Sequence, residues 1–102
     1  MLSSLLKAKS LIHFDFYQDG DSGKRHIAKH NVTLEEINEF FNDSVFFEKQ
    51  RQDKSFIAYS RLKSGRCLKV IYRKLSKANY FIITAFDLED LYMIQLLDKE
   101  IQ

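Results

Sequence analysis

The feature that most constrains this chain is a change of period at Asn42-Asp43-Ser44. Before it, Leu34, Ile37, Phe40 and Phe41 recur at three- and four-residue intervals, the spacing of an α-helix with one apolar side. Thr33 and Glu36 stand at its start in capping-box order, the threonine hydroxyl accepting from the amide three residues on while the glutamate reaches back. After it come short runs rich in Val, Ile, Phe and Tyr, at residues 45–49, 54–62, 66–73 and 79–86. That pattern predicts four successive strands of an antiparallel sheet, with Ser64-Gly65 as the clearest hairpin turn. A breaker-free stretch over 24–30 predicts a short helix ahead of the capped one. A closing helix is expected to start near Asp87, with Leu88, Leu91, Ile94, Leu97 and Ile101 along its buried side. The outline is ααββββα, an α+β domain with helices packed on a four-stranded antiparallel sheet.

A chain of 102 residues has room for one small core, and 14% aromatic residues, nine of them Phe, suffice to fill it. With no Pro and three Gly, few backbone positions suit a phosphate-cradling loop. Cys67, the single cysteine, can make neither an internal disulfide nor a multi-thiolate zinc site, which fits a reducing compartment. Lys7 and Lys9 interrupt the apolar residues of the opening and no small-residue cleavage pattern follows, so a cytoplasmic protein with no membrane partner is expected. Residues 1–12 read as an extension and 13–102 as the domain.

Charge is segregated along the chain. Between Lys49 and Lys77 there are ten cations and a single anion, Asp53, whereas Glu35, Glu36, Glu39, Asp43 and Glu48 precede this block and Asp87, Glu89, Asp90, Asp98 and Glu100 follow it. A basic sheet region with Tyr59 and Tyr72 among its cations suits phosphates and unpaired bases. It equally suits the solvated side of a sheet, where Lys is common.

Four strings in order, Phe14-Asp15-Phe16, Lys29-His30-Asn31-Val32, the run Gly65-Arg66-Cys67-Leu68-Lys69-Val70-Ile71-Tyr72, and Ile82-Ile83-Thr84-Ala85, resemble the BrnT family. They are similar to its aromatic-acid-aromatic opening, its "KHGV" turn, its "GR-L-V-Y" hairpin strand and its "IISA" last strand, over about residues 14–97. The resemblance implies a compact RelE-like fold, a ribonuclease toxin of a type II toxin–antitoxin pair, and a cognate DNA-binding antitoxin that covers it in a hetero-oligomer; homo-oligomers are an open alternative. The chain departs from the family where Leu75, Phe81 and Phe86 stand at positions that are commonly basic.

A metal-independent ribonuclease uses the RNA's own 2′-hydroxyl, so it needs phosphate-positioning cations and proton-transfer groups. Lys29 and His30 are the candidates for proton transfer or phosphate contact, Arg66 and Arg73 for charge stabilisation, and Tyr72 for stacking or a hydrogen bond. Arg61, Lys63, Lys69, Lys74 and Lys77 are candidates for holding RNA. Each has a plainer reading: His30 as a helix-end residue, Tyr72 as a core aromatic, Cys67 as a packed strand residue. His26 and His30 lack the acidic partner of a metal-binding helix, so no metal or other cofactor is expected. The second functional reading is a catalytically inactive BrnT-like module that binds a protein through its basic strands.

Overall fold

The computed structural model describes residues 12–18 and 26–101. Residues 1–11 of the expected extension, and Lys24 and Arg25 of the first expected helix, lie outside them. The elements in order are β1 (His13–Phe16), a 3-10 turn (His26–His30), α1 (Leu34–Asn42), β2 (Phe46–Gln50), β3 (Phe56–Arg61), β4 (Cys67–Ser76), β5 (Asn79–Asp87) and α2 (Leu91–Ile101). The α+β class stands, and three details differ from expectation.

First, the sheet is five-stranded and mixed, in the order β1-β5-β4-β3-β2, with β1 parallel to β5 and every other pair antiparallel. Phe14 and Phe16 of β1 turn inward while His13 and Asp15 stay exposed, but four residues are too few for alternation to declare a strand. Second, the expected first helix is a five-residue 3-10 turn. It ends at Asn31, which has φ 59°, a left-handed conformation that Asn tolerates better than most residues. Third, the last helix begins at Leu91, because Asp87 is still the end of β5, opposite Leu68. Asp90 caps instead, its Oδ1 accepting from the amides of Tyr92 at 3.0 Å and Met93 at 3.4 Å. Leu91 is consequently 74% exposed, and Leu97 is the buried one among the described side chains of the helix, which do not include that of Ile101.

The capping box on α1 is present as expected, with the Glu36 amide donating to Thr33 and the Thr33 amide to Glu36. Ile37, Phe40 and Phe41 face the sheet, while Leu34 is exposed. Phe40 and Phe41 meet Phe46, and Phe41 also meets Phe14, Tyr72 and Tyr80. The sheet face beneath α1 carries Leu68, Val70 and Tyr72 of β4 with Ala58 of β3 and Ile82 and Ala85 of β5, all fully buried. Tyr80 and Ile82 share that face with Ala85 although their parity differs. The register shift that pairs Ile71 with Thr84 but Tyr72 with Ile82 leaves Ile83 as a bulge and reverses the alternation. Ile12 is tied to α1 by the Asn42 side chain, which accepts from its amide at 3.0 Å. No helix among the described residues is long and apolar enough to cross a membrane.

Candidate nucleic-acid interface

Arg66 immediately precedes β4, just after the hairpin turn, where Gly65 at φ 95° takes a backbone conformation that a residue with a Cβ rarely adopts. The guanidinium reaches back to the 3-10 turn. Its Nε donates to Asp87 at 2.7 Å, Nη1 donates to the Asn31 carbonyl at 2.9 Å and to both Glu36 oxygens at 2.8 and 3.0 Å, and Nη2 donates to the His30 carbonyl at 3.1 Å. The Asp87 hydrogen bond, opposed by partial burial and aided by Glu36, holds the Arg66 pKa above its ordinary value. Two carboxylates already balance this charge, so Arg66 acts as a clamp that joins the turn, α1 and β5 and sets the His30 backbone.

Beside the clamp the His30 ring lies against Phe86, centroids 5.4 Å apart and planes at 40°. Lys69, paired with Phe86 across the β4–β5 ladder, holds its ammonium 4.7 Å from the centre of that ring. His30, Lys69 and Phe86, with Asn31, Asp87, Glu89 and Asp90, line a cleft of about 400 Å³. Lys29 is exposed next to His30. The ladder continues away from this cleft: Phe86, Lys69, Tyr59 and Phe47 oppose one another in a row across β5, β4, β3 and β2. They lie on the face away from α1, each half-buried.

Tyr72 and Arg73 stand at the other end of β4. Seven residues of extended chain separate Arg66 from Arg73, roughly 23 Å at strand rise, so one site cannot use both. Tyr72 is fully buried, which removes its ring from any base. It is stacked between Phe56 and Tyr80, at centroid distances of 5.8 and 5.2 Å, and its hydroxyl donates to Glu48. Burial foremost, then the Glu48 hydrogen bond and charge, raise the Tyr72 pKa above its ordinary value. Lys74 donates to Glu48 at 2.8 Å and lies 4.4 Å over the Phe56 ring. Arg73 is exposed, with Nη1 donating to the Asp53 carbonyl at 3.3 Å and Nη2 3.8 Å from the Asp53 carboxylate. The hydroxyl and amide of Ser55 hydrogen-bond Asp53 at 2.5 and 3.0 Å and hold that carboxyl below its ordinary pKa.

The remaining candidates divide between the same two ends. Arg61 pairs with Cys67 in the ladder and makes an ion pair with Asp98 of α2. Lys63 is exposed in the β3–β4 hairpin, its amide donating to Glu39 at 2.6 Å. Lys77 is exposed in the β4–β5 turn at the Tyr72 end. Cys67 is half-buried with Sγ 3.8 Å from the Gly65 carbonyl. Among the described residues no cluster of three or more His, Cys, Asp or Glu side chains could hold a metal ion, and the His26 side chain lies outside them.

Glu36, Asp87 and Glu48 are the residues that sequence reasoning did not connect to the site candidates. Their partners lie far along the chain, where no local spacing signals them. The β5 bulge also hides which residues of that strand share the Phe86 face. No protein-family model, no curated protein and no solved structure matches this chain.

Proposed function

We propose that this chain is a BrnT-like ribonuclease with a RelE-like fold, the toxin of a cytoplasmic type II toxin–antitoxin pair, acting on RNA without metal at the His30 end of the sheet. The observation that carries the reading is Lys69. Phe86 stands where the family commonly has a basic residue, and the ladder sets the Lys69 ammonium over that same ring, one strand away, beside His30. A cation is thereby restored at the place from which the sequence removed one. The same ladder sets Arg73 opposite Phe81, the second apolar replacement.

The four strings of the resemblance also meet in space. Phe14 and Phe16 pair with Tyr80 and Ile82, Arg66 holds the His30 and Asn31 carbonyls, and Asn31 takes the left-handed conformation where the family has glycine. In the proposed reaction the 2′-oxygen of RNA forms a bond to the adjacent phosphorus as the bond from phosphorus to the 5′-oxygen breaks. His30 takes the 2′-hydroxyl proton, water gives a proton to the departing 5′-oxygen and is restored by the proton His30 releases to solvent, and Lys29 faces the charge gathered on the phosphate. The products are a 2′,3′-cyclic phosphate and a 5′-hydroxyl end.

A second reading, an inactive module that binds an antitoxin or another protein, is favoured by one observation: Arg66, Arg61, Arg73 and Lys74 each already face a carboxylate. The experiment is incubation of purified, antitoxin-free chain with total cellular RNA in a chelator, beside His30→Ala checked for folding. Cleavage by the parent chain alone, leaving cyclic-phosphate ends, is expected. No cleavage by the folded parent protein, with a related nuclease active in parallel, would establish the binding reading instead.

A further inference from the structure

We propose that the cleft beside His30 is a guanine-reading subsite in which Glu89 and Lys69 select the base; the inference rests on the RNA-directed reading above. Three carboxylates line the cleft, and two are occupied: Asp87 binds Arg66 and Asp90 caps α2. Glu89, between α2 and β5, is exposed and makes no hydrogen bond or ion pair among the described residues. Opposite in charge, the Lys69 ammonium has no carboxylate partner among them and rests over Phe86. The cleft thus offers one open pair of acceptors, one open donor and the walls of two rings, His30 and Phe86.

That inventory selects among RNA groups. A phosphate meets Glu89 with like charge, so the cleft disfavours the backbone and suits a neutral base. Guanine presents N1–H and N2–H donors side by side, which match the two oxygens of one carboxylate, and O6 and N7 acceptors, which match a lysine. Adenine reverses the pattern, setting the N1 acceptor toward a carboxylate and the N6 donor toward an ammonium. Pyrimidines give less ring to lay against His30 and Phe86. A cleft of about 400 Å³ lies in the range of small-ligand sites.

The test is an amide-resolved NMR titration of the whole chain with GMP, IMP, AMP and CMP at millimolar concentration. GMP should shift the amides of His30, Asn31, Lys69 and residues 86–90, with AMP and CMP at least about tenfold weaker and IMP, which lacks the N2 amino group, in between. Glu89→Gln should remove the preference for GMP over AMP while leaving the spectrum otherwise folded, and Lys69→Met should weaken GMP by a similar factor. Equal shifts from all four nucleotides, or shifts confined to another surface, overturn the assignment. RNA oligomers with each guanosine replaced in turn by adenosine separate the two proposals. Cutting that ignores these replacements overturns the guanine subsite and leaves the ribonuclease reading standing. GMP selection by a chain that cuts no RNA supports the subsite and removes the catalysis.

Discussion

The two ends of β4 hold their cations in different ways. At the Arg66 end the guanidinium is consumed by Glu36, Asp87 and two backbone carbonyls, and this leaves His30, Lys69 and Glu89 around an open cleft. At the Tyr72 end the polar groups close on one another: the Tyr72 hydroxyl and the Lys74 ammonium both meet Glu48, and the rings of Phe56, Tyr72 and Tyr80 fill the space between. The first arrangement uses charge to position backbone beside an open cleft. The second uses charge to seal a phenol into the core. Basic residues crowded into one stretch of the sequence therefore have unequal roles once a strand has distributed them.

Four measurements would break or sharpen this contrast. The largest effect is expected from Tyr72→Ala, which empties a fully buried site and should cost about 4 kcal/mol in urea unfolding. A loss below about 1 kcal/mol would mean that the Tyr72 end is not the closed core described. Arg66→Ala should cost about 2 kcal/mol, since it strands Glu36 and the carbonyls of His30 and Asn31. Arg66→Lys should recover little, because one ammonium cannot reproduce the fork. Free recovery by lysine would reduce the clamp to a simple ion pair.

Alkaline pH isolates the Tyr72 end. The Tyr72 pKa is raised above its ordinary 10.0 by burial and by Glu48, so its contribution to stability is whole below pH 10. As pH rises above that value toward the raised folded one, the unfolded chain releases the proton and the folded chain keeps it. The parent protein should lose stability relative to Tyr72→Phe by about 1.4 kcal/mol per pH unit in that range. Parallel pH profiles for the two proteins would contradict a sealed phenol. Arg73→Ala, at an exposed residue with a long ion pair, should change stability by less than about 0.5 kcal/mol. A larger loss would show the two ends to be more alike than the geometry indicates.

Much of this frame was legible in the sequence because its causes are local. The Thr33–Glu36 box, the period of Ile37, Phe40 and Phe41, and the β-rich runs after Ser44 each report on neighbours within a turn or a strand. The alternation of Leu68, Val70 and Tyr72 likewise places them together, as the buried face of β4 shows. What the sequence hid is non-local. β1 is defined by its pairing with β5, whose residues lie far along the chain. The closing helix starts late because Asp87 is still the end of β5, paired opposite Leu68 and bonded to Arg66, a partner far along the chain. For the site, residue type pointed to Lys29, His30 and Arg66, and the expected strand over 66–73 already set Arg66 and Arg73 at its two ends, but nothing local says that Tyr72 is sealed. The bulge at Ile83, which decides the faces of β5 on either side of it, has no sequence mark that alternation could use.

The most direct test of the contrast is amide mapping of the whole chain with a single-stranded 2′-O-methyl RNA, which binds as RNA does but lacks the attacking hydroxyl. The account predicts shifts concentrated at Lys29, His30, Asn31, Lys69 and Phe86, with residues 51–54 and 72–75 unmoved. Shifts centred on Arg73 and Lys74, with the His30 cleft silent, would contradict it.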